Sequence, residues 1–395
     1  MKLIVKILIA IALGIGAGYV LPDWIARIFL TFNAIFSEYL EFIVPLLIIA
    51  FVAPTISTLG NRAGKMVLWT LIISYIFTIG TGFFTYGVSS SLFPSLITVA
   101  PVVSTADPGA QLDPYFVFEM PAIMDVCSAL VLAFILGIGA ASVGSQSILN
   151  GLNGFGEIIK LAINKTIIPL FPLYIFGVFM NMTINGETAN MMSTFLKAVI
   201  VIFILHVLVL VIQYCIAGGI THHNPFKSLW AMMPAYFTAL GTSSSAATIP
   251  VTLKSAVKMG VNPDIAGFTV PLCATVHMSG STMKIVACSM ALMIAHGHDI
   301  NIAMYAGLIT TLAITIIAAP GVPGGAIMAS IGLLQSILGF SDTECALMIA
   351  LYISMDSFGT ACNVTGDGSI AQIIDYFFGP KKGEDSTQLE PQPQQ

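Results

Sequence analysis

The sequence predicts an all-α polytopic membrane protein of eight transmembrane helices and two re-entrant helical hairpins. Three observations carry that reading. Hydrophobic residues make up 57% of the 395-residue chain and charged residues only 8%, with a mean hydropathy of +0.94, where a soluble domain holds about 25% charged residues. Apolar runs recur at the length that crosses a bilayer. Two small polar stretches, 240–281 and 356–367, interrupt long apolar sequence. Lipid tolerates such irregular backbone only where protein buries it or water wets it.

Composition also excludes partners. The net charge of −5 comes without any basic cluster longer than Lys381-Lys382, so nothing in the chain fits nucleic acid. The six cysteines (127, 215, 273, 288, 345 and 362) are scattered in apolar sequence without metal-ligand spacing. They read as small core residues and not as disulfide or zinc partners. No secretory cleavage site follows the first apolar run. Gly18-Tyr19-Val20 leads straight into Leu21-Pro22-Asp23 and another span, so residues 1–21 form a retained helix and not a signal peptide.

A helix needs about 20 apolar residues to cross the hydrocarbon core. Spans are predicted on that basis at 3–21, 33–58, 65–90, 113–143, 154–184 and 191–221, several long enough to require tilt. The 91–112 connection carries Ser, Pro and Asp without periodicity and reads as an extramembrane loop. Past Asn224 the clean pattern fails. Residues 225–260 are interrupted midway by Gly241-Thr242-Ser243-Ser244-Ser245, and 304–340 break at Pro320-Gly321-Val322-Pro323-Gly324-Gly325. Proline removes a donor and clashes with the preceding turn, and glycine relaxes the backbone. Each segment therefore reads as helix, tip, helix. Between them 263–297 breaks at Ser279-Gly280, and after them 343–379 carries Asp356 and Asp367. The tail 381–395 is polar and Pro/Gln-rich, with the composition of a disordered segment.

Orientation follows from basic residues near span ends. Take a cytoplasmic N-terminus, six full spans and hairpins opening to opposite sides. Lys2, Lys6, Arg62, Lys65, Lys160, Lys165, Lys227, Lys254, Lys258, Lys381 and Lys382 then fall inside, 11 of the 14 basic residues. Arg27 and Lys197 fall outside, and Lys284 lies at membrane depth. The expected location is the cell's inner (plasma) membrane with both termini cytoplasmic.

Two interrupted hydrophobic segments in corresponding positions mark a transporter site at the interface of inverted repeats. Asp356 and Asp367 agree, because a carboxylate at that depth costs a few kcal/mol and intramembrane acids are functional by default. Blander readings stand beside these. The Ser-rich tip is also readable as a flexible turn, and the Pro/Gly tip as a kink. His277 fits a hydrogen-bonded core histidine, and Lys284 a side chain reaching for the interface. Asp125 and Glu119 read as structural or interfacial. Two other function classes compete with a coupled symporter. A channel needs a continuous polar pore, whereas polar residues here cluster at one depth. A membrane hydrolase would use Ser243, Ser244 or Ser245 with His277, but the chain holds no Gly-x-Ser-x-Gly elbow and no suitably paired acid. The chain is not read as an enzyme.

With these pieces placed, the chain resembles the dicarboxylate/amino acid:cation symporters, the family that includes the glutamate transporters. The likeness spans roughly residues 1–380 and rests on three motifs in order. They are the Ser243-Ser244-Ser245 tip running to Thr248-Ile249-Pro250, the Gly321-Val322-Pro323-Gly324-Gly325-Ala326-Ile327-Met328 tip, and Asn363-Val364-Thr365-Gly366-Asp367.

The resemblance implies a homotrimer in the bilayer. Its scaffold is 1–64 (spans 1 and 2) with 113–190 (spans 4 and 5). The elevator-type transport domain is 65–112 (span 3 and the external loop) with 191–380 (span 6, both hairpins, spans 7 and 8), and 381–395 is the cytoplasmic tail. Residue by residue, Ser245 and Asn363 match positions that hold a substrate carboxylate, and Asp356 matches the one that holds its ammonium. Ser281 and Thr360 sit where the side chain is read, and Ser244, Val322, Gly324 and Gly359 complete the pocket. Asp367 and Asn363 match ligands of a sodium site otherwise built from backbone carbonyls. Sodium, a hard cation, takes oxygen ligands of this kind at broken helices.

Departures from the family pattern shape the expectation. Gly359 stands where the dicarboxylate carriers have arginine. His277-Met278-Ser279 stands where they have Asn-Met-Asp, whose asparagine and aspartate bind sodium. The metal candidates are thus Asp367, Asn363, His277 and Ser279, with Ser74 (beside Tyr75) offering a hydroxyl from the third span. Without a guanidinium fork a side-chain carboxylate loses its bidentate partner. The expected substrate is a small neutral amino acid such as serine or threonine, coupled to sodium, with no organic cofactor. The alternative keeps an acidic amino acid or C4-dicarboxylate and lets Lys284 replace the missing arginine. His277, Ser281 and Lys284 have the spacing of one helical face, provided the helix re-forms after Gly280. His277 and Lys284 are then the expected coupling residues, replacing a bound sodium by fixed or titrating charge and adding proton dependence through the histidine. A lysine is a compact point charge and mimics a bidentate fork poorly.

Overall fold

The computed structural model describes residues 3–60, 65–97, 112–316 and 324–379, and all regular structure among them is helical. The first half holds α1 (Leu3–Val20), α2 (Asp23–Gly60), α3 (Lys65–Leu96), α4 (Val126–Val143), α5 (Gln146–Ala162) and α6 (Ile168–Ile184). A π turn at Ile163–Ile167 joins α5 to α6, and α7 (Thr188–Thr221) closes the run of long elements. The second half holds α8 (Pro225–Ala231), α9 (Met233–Thr242), α10 (Ser245–Met259), α11 (Pro263–Val276), α12 (Ser279–Ala295), α13 (Ile302–Thr315), α14 (Gly325–Leu338), α15 (Asp342–Ser354) and α16 (Asp356–Phe378).

Among the described residues, 23–54, 65–96, 146–184, 188–221 and 263–295 are long and apolar enough to cross a membrane, and the pair α15–α16, bent by 61°, makes a sixth. The expected eight is not reached on length and composition. In α1 and α4 the apolar parts, Val5–Val20 and Val131–Val143, fall short of the roughly 20 residues a bilayer core requires. Leu13 on α1, Ile135 on α4 and Leu196, Ile200 and Val207 on α7 all point outward. Such outward apolar faces belong in lipid, and the chain is a multi-pass membrane protein.

Several boundaries differ from expectation for local reasons. Helix α2 begins at Asp23, directly after Pro22, and not at 33. The span expected from 113 becomes helical only at Val126, where Asp125 accepts the Ser128 amide at 3.0 Å as N-cap. The preceding residues carry Pro114 and Pro121, and their polar groups bond to α2 instead. The Tyr115 amide donates to Thr31 Oγ1 at 2.9 Å, the Met120 amide to Glu38 Oε2 at 2.7 Å, and Arg27 Nε to the Asp113 carbonyl at 2.9 Å. Helix α3 continues to Leu96, past the expected 90. Most of the expected loop (98–111) and the tail lie outside the described residues.

Helix α1 packs on α6, and α2 on α4, α5 and α6, whereas α3 and α7–α16 gather about α12 and α16. Every residue of α12 but Ile294 is buried, so α12 is the axis of the second group. Two breaks lie elsewhere than predicted. The chain leaves helix at His277 (φ −96°, ψ 108°) and Met278, and Ser279 and Gly280 already belong to α12. Gly280 serves packing: a Cβ there would overlap the Gly359 carbonyl and lie 2.6 Å from Cys362 Cβ. Small residues let helices approach in this way where no hydrophobic drive separates helix from lipid. The second break divides the span expected at 343–379. It falls at Met355 (φ −116°, ψ 16°), directly before Asp356. At the first hairpin tip, Ser243 takes the left-handed conformation (φ 52°) between α9 and α10. The second tip lies between α13 and α14, and residues 317–323, Val322 among them, are outside the described set.

Candidate functional site

The start of α10, the start of α14, the α11–α12 break and the first turns of α16 converge on a cavity of about 110 Å³. That is small beside the roughly 300–1,000 Å³ of sites for drug-sized ligands. Ser243, Ser244 and Ser245 line it from the first tip, and Thr275, Met278 and Ser281 from the break. Gly325 lines it from α14, and Tyr352, Asp356, Thr360 and Asn363 from α15 and α16. Ser244 caps α10 by accepting the Ala247 amide at 3.3 Å, so the positive end of that helix faces the cavity. Ser243 Oγ lies 2.6 Å from Ser357 Oγ and ties the tip to α16.

Asp356 is fully engaged. Its Oδ1 accepts from Lys284 Nζ at 3.2 Å and its Oδ2 from the Gly324 amide at 2.9 Å. Asn363 Oδ1 accepts the Gly280 amide at 2.7 Å, and its Nδ2 donates to Ser281 Oγ at 3.2 Å. Ser281 Oγ also accepts from Tyr352 Oη at 3.1 Å. Thr360 donates to the Asp356 carbonyl at 3.0 Å and keeps its side chain at the cavity wall. Gly359 is not on that wall, contrary to expectation. It faces Lys284, and a Cβ added to it would overlap Lys284 Cε.

A second polar group lies deeper. His277 Nδ1 is 3.0 Å from Asp367 Oδ1, and its Nε2 is 2.6 Å from Ser279 Oγ. Gln213 Nε2, from α7, donates to the same Ser279 Oγ at 2.9 Å. The order Ser279, His277, Asp367 is that of a nucleophilic triad. Ser279 and His277 are fully buried, however, and none of the three lines the cavity. Asp367 Oδ2 and Gln213 Oε1 are buried without a hydrogen-bond partner. Buried acceptors left open in this way suit a hard cation. The described residues hold no cluster of three His, Cys, Asp or Glu side chains, so amide and backbone oxygens would have to complete its shell.

The predicted residues therefore divide. Ser244, Ser245, Ser281, Asp356, Thr360 and Asn363 line one cavity; His277, Ser279 and Asp367 form the deeper group. The single stripe expected of His277, Ser281 and Lys284 does not form. The break at His277 precedes α12, and the three side chains take different partners: Asp367, Asn363 and Asp356. Ser74 Oγ lies 3.8 Å from Cys273 Sγ. The contact of α3 at the break comes one turn later, where Thr78 Oγ1 accepts the Met278 amide at 3.3 Å. Sequence reasoning missed Thr78, Gln213 and Tyr352. Gln213 carried a usable signal, as an amide inside the most apolar span.

The chain is similar to known proteins over nearly its whole length. The model of the sodium:dicarboxylate symporter family matches residues 3–377. The chain is 26% identical over 392 residues to the serine/threonine transporter SstT of Acinetobacter baumannii (strain AYE), covering 95% of this chain and 96% of that one. It is 33% identical over 162 residues to excitatory amino acid transporter 4 of Mus musculus and 32% identical to that of Rattus norvegicus. Those matches cover 40% of this chain and 28% of each relative.

Proposed function

The chain belongs to the sodium:dicarboxylate symporter family, and from that premise we propose that it couples inward sodium flow to uptake of a small neutral amino acid of the serine or threonine kind. One observation carries the substrate. Among the described residues the cavity presents one carboxylate, several hydroxyls and an amide, and no guanidinium lines it. Asp356 receives the substrate ammonium, while Ser245, at the positive end of α10, and Asn363 receive its carboxylate. Ser281 and Thr360 read the side chain. The full-length likeness to a serine/threonine transporter supports this choice.

Asp367 takes the sodium ion, with its free Oδ2 and Gln213 Oε1 as hard donors. His277 occupies the other carboxylate oxygen, which lowers the sodium count and leaves a proton as the second candidate ion. The protein works as an inner-membrane homotrimer with both termini cytoplasmic. Residues 1–64 and 113–190 form the scaffold, and 65–112 and 191–380 the domain that carries the site across. The denser packing of α1, α2 and α4–α6 among themselves, and of α3 and α7–α16 about α12 and α16, is in keeping with that division, with α14 and α15 meeting α2, α6 and α1 across it.

A second reading keeps an acidic substrate, and the position of Lys284 over Gly359 favours it. Against it, the ammonium is held by Asp356 and stays off the cavity wall. Counterflow in proteoliposomes with the twenty amino acids plus succinate, fumarate and malate separates the two. Preference for serine, threonine and similar neutral substrates is expected. Preference for the diacids would overturn the proposal, and ohmic ion flux without saturable uptake would mark a channel.

A further inference from the structure

The proposed pocket leaves Lys284 without a task, yet its surroundings are specific. The side chain is completely buried. Its ammonium lies 3.2 Å from Asp356 Oδ1, donates to the Met355 carbonyl at 3.4 Å and sits 3.6 Å from the centre of the Tyr352 ring. It reaches Asp356 only by crossing the bare face of Gly359, where any Cβ would collide with its stem. Asp356 Oδ2 meanwhile accepts the Gly324 amide from the second hairpin. Both oxygens of the carboxylate on the cavity wall are thus held from within the protein, one by a tethered cation and one by the tip.

We infer that Lys284 is a built-in counter-ion for the empty site, which holds Asp356 when no substrate is present and yields it to the substrate's ammonium. The inference rests on the symport reading. Net uptake requires the site to return across the membrane without substrate, and an unpaired carboxylate at that depth is costly. Paired with Lys284, Asp356 makes the return without a net charge of its own. When substrate takes Asp356, the Tyr352 face and the Met355 carbonyl remain as partners for the displaced ammonium. A compact charge on a flexible four-carbon stem suits such an exchange, and a planar guanidinium does not.

The experiment compares two rates in proteoliposomes. Exchange of labelled for unlabelled amino acid needs only the loaded site; net uptake into substrate-free vesicles also needs the empty site to return. Lys284→Met is expected to lower the ratio of net uptake to exchange at least about tenfold, because the empty site then carries an uncompensated charge. Gly359→Ala, which keeps the lysine but obstructs its path, is expected to lower the same ratio. An unchanged ratio in both variants overturns the inference. So does failure of both to give a monodisperse folded protein, since the pair would then be a structural strut. If the unmodified protein exchanges no amino acid at all, the symport reading falls, and this inference with it.

Discussion

His277 Nδ1 meets Asp367 Oδ1 at 3.0 Å at a depth where neither side chain touches solvent. The imidazole occupies one oxygen of the carboxylate and leaves the other, Oδ2, without a protein partner. A half-satisfied buried carboxylate is expensive unless something else completes it. On the proposal that Asp367 takes sodium, the ion completes the carboxylate, and His277 leaves only the Oδ2 side open to it.

Replacing Asp367 with Asn should abolish sodium-dependent uptake while the protein still elutes as a single species. The amide oxygen can still accept from His277 Nδ1, so the fold keeps its bond and loses only the charge. Sodium-gradient-driven uptake in proteoliposomes measures this. An unchanged sodium dependence would mean that the ion site lies elsewhere.

Replacing His277 with Asn should raise the number of sodium ions per substrate. An amide oxygen is a hard cation ligand, whereas the imidazole of His277 is spent on Asp367 and Ser279. The readout is the ratio of ²²Na to substrate flux, together with the steepness of the sodium activation curve. If both stay as in the unmodified protein, His277 is a core histidine and no more.

Composition and run length were enough to read the membrane class, and the Ser-rich tip falls where its small polar residues place it, on left-handed Ser243. The two functional breaks were harder, because proline and glycine are the local signals of a break and neither break depends on them. His277 leaves the helix because its ring finds Asp367 and Ser279 and the Met278 amide finds Thr78. Those partners are supplied by other helices. Gly280, the residue that looked like the break, is instead a contact point between α12 and α16. The destination of Lys284 was legible only once those two helices were known to touch.

Replacing Ser281 with Ala should weaken both substrate affinity and stability. The hydroxyl accepts from Tyr352 Oη and Asn363 Nδ2. Its loss takes that acceptor from both and leaves Asn363 Nδ2 with Met278 Sδ, at a cost of about 1–3 kcal/mol for each donor left unpaired. Thermal unfolding in detergent, with and without substrate, should show a lower midpoint and a smaller substrate-induced rise. A variant as stable and as tightly binding as the unmodified protein would remove Ser281 from the pocket's support.

The packing of α12 on α16 can be tested by a pair of glycines. A Cβ at Gly280 would overlap the Gly359 carbonyl and crowd Cys362, both on α16, whereas a Cβ at Gly267 in α11 meets nothing within 4 Å. Gly280→Ala should therefore destabilise by about 1–3 kcal/mol, the range for overpacking a tight contact. Gly267→Ala should stabilise by up to about 1 kcal/mol, because alanine is the better helix former and no neighbour has to move. The effect at Gly280 should reach the site as well. The Gly280 amide donates to Asn363 Oδ1 at 2.7 Å, and pushing the helices apart lengthens that bond and frees the Asn363 amide proposed to hold the substrate carboxylate. Substrate affinity should fall in Gly280→Ala and stay unchanged in Gly267→Ala. Equal unfolding midpoints for the two variants would show that α12 and α16 do not meet at Gly280, and the placement of Asn363 and Lys284 would have to be redrawn.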